Sequence, residues 1–183
     1  MIKYTEALGL IKDLLITACF YFAFTTGAFA ARHIPSSSME PTLEVGDRLF
    51  VSMFAYGYNR YTVPFSPEFV PETRLFSDAP TLGDVAVFTQ PHRGDDEIIK
   101  RVIGLPGDII QVTNGRLYIN GNLVQRTFVR DVNYTDYKGV NRRAKEYDET
   151  LPNGVKHRIY EFTDHGRADN TPPYKVPAGH YFM

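Results

Sequence analysis

The sequence predicts a mostly β protein, in which an antiparallel β-barrel or sandwich follows one N-terminal transmembrane helix. One long uncharged segment lies near the start of the chain. After it, short runs of branched and aromatic residues alternate with glycine, proline and Asn-Gly pairs, as strands and turns do. No amphipathic helical pattern separates these runs, which disfavours a doubly wound parallel sheet. With 183 residues, the chain has room for one domain and a short appendage.

The uncharged segment is residues 14–31, which follow a short tail of residues 1–13. As one helix it would be roughly 27 Å long, close to the hydrocarbon thickness of a bilayer, so we expect a transmembrane anchor. A buried core helix is disfavoured because the segment has no polar stripe. A cleaved secretory signal stays open, since Lys3 and Lys12 supply a basic start and residues 28–30 fit an A-x-A cleavage site.

The strands are expected after the anchor, in a β-rich domain at residues 32–183. Asn114-Gly115 and Asn120-Gly121 each follow such a run, and this dipeptide is the strongest short-range signal for a β-hairpin. Meandering antiparallel pairing is therefore predicted. The segments with strand character are 47–53, 83–88, 98–103, 108–113 and 116–119.

Two stretches of the β-rich part are less regular. Residues 56–82 carry several prolines and predict a long surface excursion. Residues 125–175 are charged and rich in tyrosine, and predict an inserted lobe or extra hairpins, with 155–162 as one strand.

Charge and cysteine content exclude several classes of function. Twenty basic and twenty-one acidic side chains leave no basic excess for a nucleic acid backbone. The single cysteine, Cys19, excludes an internal disulfide and a multi-cysteine metal site. No metal-binding spacing is present, so neither a metal nor another cofactor is predicted. The histidines are interpreted as surface or structural residues: His33, His92, His157, His165 and His180.

Two segments carry candidate chemistry. In IPSSSMEPTL, at 34–43, the serines fit a turn, and Ser37 with Glu40 fits a helix capping box. In IIKRVIGLPGD, at 98–108, Lys100 stands among apolar neighbours, where a solvated strand face or a guarded sheet edge is the ordinary explanation. A buried lysine is different, because burial lowers the pKa of a lysine from about 10.4 and provides the neutral amine that activates a serine hydroxyl. A catalytic pair of one serine and one lysine therefore needs no histidine.

Together these segments resemble bacterial type I signal peptidases. PSSSMEPTL at 35–43 is similar to the nucleophile box of that family, and GDVAVF at 83–88 to its next strand. KRVIGLPGD at 100–108 is similar to the box that holds the lysine base, and GHYFM at 179–183 to the opening of a further box. The resemblance implies a membrane-anchored serine endopeptidase on the outer, periplasmic side of the bacterial cytoplasmic membrane. Its partners would be membrane lipid and the signal peptides that it removes from exported preproteins.

The resemblance also implies roles for individual residues. Ser38 corresponds to the nucleophile and Lys100 to its general base. Ser36 corresponds to a hydroxyl that forms the oxyanion hole together with the Ser38 backbone N–H. The residues that adjoin the two boxes and resemble the walls of shallow substrate pockets are Ile34, Pro35 and Ile99.

The family pattern continues beyond GHYFM, whereas this sequence stops at Met183. We therefore expect a truncated chain without the final strand and without the groups that support the lysine base. Two alternatives stay open. One is a catalytically inert, membrane-anchored β domain, and the other is a relative specialised for a single exported substrate.

Overall fold

A computed structural model describes residues 4–60, 62, 68–70, 73–89, 97–136, 139–163 and 166–183. The chain divides into two compact units. The first contains Met1–His33 and Arg48–Ala79, and the second contains Ile34–Asp47 and Pro80–Met183. Every candidate site residue lies in the second unit.

In the first unit, the uncharged segment 14–31 is not one helix as predicted. Helix α1 spans Tyr4–Ala23, a π-helical turn spans Phe24–Ala28, and strand β1 spans Phe29–His33. The helix begins early because residues 4–13 are mostly good helix formers. The segment leaves the helix where β1 pairs antiparallel with β2, Arg48–Ser52.

Among the helices of the described residues, none is both long enough and apolar enough to cross a membrane.

The second unit consists of antiparallel strands, as predicted. The described strands form separate sheets of two to four strands, and no closed barrel is present among them. The strand bounds are β3 Val85–Thr89, β4 Glu97–Arg101, β5 Ile109–Thr113, β6 Arg116–Ile119, β7 Asn122–Leu123 and β11 Tyr174–Lys175. β3 pairs with β4, β11 with β5, β5 with β6, and β6 with β7.

The two Asn-Gly pairs form the turns that the sequence predicts. Asn114 and Gly115 have φ of 49° and 67°, and Asn120 and Gly121 have φ of 54° and 77°. Positive φ at both central residues matches the right-handed twist of the strands on either side. These turns build the β5–β6–β7 meander. Its Ile110 and Ile119 pack in one buried core with Val124, Leu151 and Val176.

The segment at 179–183 lies beside the end of the lysine-bearing segment. Phe182 pairs with Gly104 through two backbone hydrogen bonds of 2.9 and 3.1 Å. The backbone N–H of Ile103 also donates to the carbonyl of Phe182, at 2.8 Å. The residues before Met183 are therefore part of the sheet architecture that holds this region.

The region 125–175 contains long hairpins. β8, Gln125–Thr135, pairs with β9, Asn141–Thr150, and β9 pairs with β10, Lys156–Glu161. The strand expected at 155–162 matches β10. Of the expected excursion at 56–82, residues 61, 63–67 and 71–72 lie outside the described residues.

This three-stranded sheet is held together by charge as well as by backbone pairing. The carboxylate of Glu146, on the central strand, is fully buried. It accepts a 2.6 Å hydrogen bond from Arg130 Nε on β8 and forms a 3.0 Å ion pair with Arg158 on β10. A buried carboxylate is tolerated only when it is paired in this way.

Candidate active site

The candidate nucleophile lies in a tight turn. Ser37–Met39 form a single 3₁₀ turn, closed by a 3.1 Å hydrogen bond from the Glu40 N–H to the Ser37 carbonyl. The N–H groups of Thr42 and Leu43 then donate to the Met39 carbonyl, at 2.9 and 3.0 Å. Ile34, which precedes the turn, and Met39, which ends it, are both buried. The Ser38 side chain between them is exposed. Glu40 follows the 3₁₀ turn, so the Ser37–Glu40 capping box is not formed.

Strand β4 positions the candidate base. Lys100 pairs with Ala86 of β3 and is partly exposed, and the neighbouring Ile99 is buried. Successive residues of a strand point to opposite faces, so this alternation directs the Lys100 side chain away from the face that buries Ile99.

Arg101 fixes the end of β4. Its guanidinium donates a 2.8 Å hydrogen bond to the Gly83 carbonyl and lies 3.5 Å from Thr42 Oγ1. Burial lowers the pKa of Arg101 from its ordinary value. Arg101 therefore has a structural role, because it joins β4 to the segment before β3 and to the residues that follow the serine turn.

The structure brings three of the sequence-predicted residues together. Lys100 Nζ donates a hydrogen bond to Ser38 Oγ, across 62 positions of sequence. Ser36 Oγ lies 3.3 Å from Ser38 Oγ. An amine in contact with a hydroxyl is the arrangement that a serine nucleophile requires for activation.

The predicted substrate-binding residues adjoin these groups along the chain. Ile34 and Ile99 are buried, with 2% and 8% of their surface exposed, whereas Pro35 is exposed. The side chains of both isoleucines are therefore almost entirely closed to solvent.

A small groove of about 240 Å³ surrounds the contact between Ser38 and Lys100, and we call it the lysine groove. Met183 and residues of β10 contribute to its lining. Its described lining residues are Ser38, Met39, Glu40, Thr42, Lys100, Arg101, Ile103, His157, Arg158, Ile159 and Met183.

The sequence did not identify His157 or Arg158 as part of the site. His157 Nε2 lies 3.2 Å from Glu149 Oε2, and both side chains are buried, which agrees with the structural role expected for the histidines. No local pattern connects β10 with the serine turn, so only the tertiary fold reveals this proximity. His92 and His165 lie outside the described residues.

A second, larger groove of about 510 Å³ also reaches Ser38, and we call it the aromatic groove. It extends from the serine turn onto the β8–β10 sheet. Its described lining residues are Ser37, Ser38, Glu40, Tyr134, Asp136, Arg142, Ile159, Tyr160 and Phe162. Ser38 therefore lies where two grooves meet.

The described part of the chain contains no group of three His, Cys, Asp or Glu residues that could hold a metal ion. The reactive groups that the serine turn and β4 bring together are the hydroxyl and amine groups at positions 36, 38 and 100.

Comparison with known proteins relates the whole region to one family. The family described as signal peptidase, peptidase S26, matches residues 7–183. The proteins named signal peptidase I in Rickettsia massiliae (strain Mtu5) and Rickettsia akari (strain Hartford) are each 36% identical over 158 residues, which are 82% of this chain. The same segment spans 58% of the length of each relative.

A third relative extends this comparison. Signal peptidase I of Rickettsia bellii (strain OSU 85-389) is 34% identical over 158 residues, or 82% of this chain and 53% of that protein. The chain thus spans somewhat more than half the length of these curated relatives. The match covers the serine turn, β4 and the segment that ends at Met183. This chain belongs to the signal peptidase family, peptidase S26.

Proposed function

We propose that this protein is a serine endopeptidase that removes N-terminal signal peptides from exported preproteins. In this proposal Ser38 is the nucleophile and Lys100 is the general base. The hydrogen bond between Lys100 Nζ and Ser38 Oγ is the observation that carries the proposal. The names of the relatives in Rickettsia support the substrate class.

The reaction begins with the neutral Lys100 amine. It accepts the proton of the Ser38 hydroxyl while Ser38 Oγ attacks the carbonyl carbon of the scissile peptide bond. The tetrahedral intermediate then collapses, the C–N bond breaks, and the lysine ammonium gives its proton to the leaving amine. This leaves an ester between Ser38 and the signal peptide.

Water completes the cycle. Lys100 accepts a proton from a water molecule as that molecule attacks the ester carbonyl. The second tetrahedral intermediate expels Ser38 Oγ, which recovers a proton from Lys100. The products are a free carboxylate on the signal peptide and a free amine on the mature protein.

Ser36 is the third residue of the proposed active site, and its hydroxyl serves the oxyanion hole. In both tetrahedral intermediates the former carbonyl oxygen carries negative charge, and hydrogen-bond donors placed at that oxygen stabilise the transition state. The Ser36 hydroxyl, 3.3 Å from Ser38 Oγ, is close enough to act with the Ser38 N–H as such a donor. Ile34, Pro35 and Ile99 would form the apolar walls that accept small substrate side chains before the cut.

The substrate class also suggests where the protein works. We place it at the bacterial cytoplasmic membrane with the peptidase residues on the outer side. Helix α1 supports contact with lipid, because Leu14, Leu15 and Phe20 have 71%, 64% and 75% of their surface exposed. Apolar side chains that are exposed on a helix indicate an apolar partner.

Substitution of the two reacting groups tests this function. Ser38→Ala and Lys100→Met are each expected to reduce cleavage of a purified preprotein by about 1,000-fold or more, since members of a catalytic pair act as a unit. Processing is measured by the appearance of the mature N-terminus, and circular dichroism checks the fold of each variant. The control variants are Ser77→Ala and Lys156→Met, which remove an exposed serine and an exposed lysine outside both grooves. Full processing by Ser38→Ala would refute the proposed nucleophile, whereas wild-type protein that leaves the preprotein uncleaved would favour a non-catalytic β domain.

A further inference from the structure

The aromatic groove contains three rings that pack on one another beside the serine turn. The ring centroids of Tyr134 and Phe162 are 5.2 Å apart, and those of Tyr134 and Tyr160 are 5.8 Å apart. Tyr160 and Phe162 close the cluster at 6.4 Å. Phe162 has 44% of its surface exposed, so the cluster offers an accessible aromatic surface.

The charged residues that line this groove are mainly acidic. Glu40 and Asp136 contribute two carboxylates, and Arg142 contributes one guanidinium, 3.5 Å from Asp136. The Tyr134 hydroxyl hydrogen-bonds to Glu40, and this contact raises the pKa of Tyr134 above its ordinary value. The pKa of Tyr160 is raised as well, first by burial and then by the charge of Glu146. The positive charge of Arg130 opposes the shift of the Tyr160 pKa, so the hydrogen bond between Tyr134 and Glu40 is the contact that identifies a carboxylate beside the rings.

The position of the groove determines which part of a substrate can enter it. The groove starts at Ser38, where the scissile bond must lie, and continues across Tyr134, Tyr160 and Phe162. Ile99, which we assign to the part of the substrate before the cut, lies on β4 next to Lys100, which lines the lysine groove, whereas no described residue of β4 lines the aromatic groove. The aromatic groove is therefore available to the part that follows the cut.

We propose that the aromatic groove is a substrate subsite that binds the first residues after the cleaved bond and favours a basic side chain among them. This inference rests on the proposed function. A lysine or arginine over a tyrosine or phenylalanine ring gains a cation–π attraction, and nearby carboxylates add a Coulomb attraction of the same sign. A glutamate at the same place meets the negative face of the rings and the carboxylates of Glu40 and Asp136.

Cleavage rates test the preference. Three preproteins are compared that carry Lys, Ala or Glu at the first three positions after the cut and are otherwise identical. We expect kcat/KM to be about tenfold higher for the Lys substrate than for the Glu substrate at low salt. In Phe162→Leu and in Asp136→Asn, this ratio is expected to fall to about threefold or less. Equal rates for the three substrates would overturn the inference and leave the proposed function intact.

Matched control variants separate the groove from general effects on the sheet. Phe128→Leu removes an exposed ring of β8 that packs on Tyr147 and does not line the groove. Asp131→Asn removes an exposed carboxylate of the same strand, also outside the groove. Both controls should keep the wild-type ratio between the Lys and Glu substrates. A ratio that fell equally in controls and test variants would count against the subsite.

A binding measurement decides the question without catalysis. Ser38→Ala protein is titrated in a calorimeter with short peptides that correspond to the residues after the cut and carry Lys or Glu. The Lys peptide should bind about three- to tenfold more tightly, and Phe162→Leu introduced into the same protein should remove the difference. Equal affinities would overturn the subsite whatever the activity of the chain. The proposed function fails by a different result, namely processing that survives Ser38→Ala.

Discussion

At the scale of single residues, Ser36 has a contribution that can be separated from that of the catalytic pair. Its hydroxyl contacts Ser38 Oγ without taking part in the proposed proton transfer. We predict that Ser36→Ala lowers kcat by about 100- to 1,000-fold with little change in KM, because an oxyanion donor acts mainly in the transition state. Steady-state kinetics on a peptide substrate measures both constants.

The conservative variant provides the control for this prediction. Ser36→Thr keeps a hydroxyl at the same position and should retain most of the activity that Ser36→Ala loses. Wild-type kcat in Ser36→Ala would exclude Ser36 from the oxyanion hole. An equal loss in both variants would indicate that the hydroxyl is not the relevant group.

The residues of the serine turn and of β4 were accessible to sequence analysis because each lies in a short local pattern. The resemblance of these two short motifs to family boxes predicts the roles of Ser36, Ser38 and Lys100, and the structure brings the three side chains together. Tyr134 and His157 reach the same region through strands far along the chain. Their proximity depends on how sheets pack, which no local spacing encodes.

At the scale of secondary-structure elements, the pairing of Gly104 with Phe182 depends on a residue without a side chain. A methyl group added at Gly104 would lie 2.8 Å from Ile110 Cδ1 and 3.1 Å from Phe182 Cβ. Both distances are shorter than normal contacts, so the backbone pairing or the core must shift. We predict that Gly104→Ala lowers the free energy of unfolding by about 1–3 kcal/mol, measured by urea denaturation.

Gly9→Ala serves as the control for this substitution. It adds the same methyl group in helix α1, where no atom lies within 4 Å. Alanine is also the better helix former, so the free energy of unfolding should stay unchanged or rise slightly. If Gly104→Ala were as stable as Gly9→Ala, the close approach of Gly104 and Phe182 would have no structural importance.

A second prediction at this scale concerns the contact between β9 and β10. His157 and Glu149 are directly opposite in the register, and both side chains are buried. We predict that a double-mutant cycle with His157→Ala and Glu149→Ala gives a coupling free energy of about 1–3 kcal/mol, because each single change leaves a buried polar partner unsatisfied.

The neighbouring pair Lys156 and Thr150 supplies the control cycle. It lies at the adjacent position of the same register, and Lys156 is exposed. Its coupling should be close to zero, because exposed cross-strand pairs contribute little. A His157–Glu149 coupling equally close to zero would contradict the prediction.

The elements also show which strands a sequence pattern can identify. The turns at Asn114-Gly115 and Asn120-Gly121 were predictable because their backbone conformation is a local property of the dipeptide. The bounds of β8 and β9 were not, because these strands are rich in charged side chains. In β8, a register shift between Phe128 and Arg130 further interrupts the alternation. Their pairing is stabilised by ionic contacts such as Arg130 with Glu146, which hydrophobic periodicity does not detect.

At the scale of the whole molecule, the antiparallel β class followed from composition and turn signals. Of the two predicted architectures, a barrel or a sandwich, the closed barrel is not present among the described residues. Closure requires a continuous set of strand partners, and this depends on long-range pairing. Residues 14–31 also differ from the single helix that was predicted, for a related reason. An uncharged run predicts an apolar environment, whereas the division of that run between α1 and β1 depends on the partner strand β2.

The last prediction concerns how the molecule is retained in the cell. If the exposed apolar side chains of α1 contact lipid, the expressed protein should sediment with bacterial membranes and stay there after a high-salt wash, which removes proteins held by charge alone. Leu14→Lys combined with Phe20→Lys should shift most of the protein to the supernatant, because each charge opposes burial of the helix in hydrocarbon.

Phe128→Lys combined with Val140→Lys introduces the same charges at exposed apolar positions of the second unit, and this control should leave the distribution unchanged. The amount in each fraction is measured by immunoblotting. Wild-type protein that washes off in salt, or equal release by both double variants, would contradict lipid contact through α1. Either result would leave the chemistry of Ser38 and Lys100 untouched, because that chemistry depends only on contacts within the second unit.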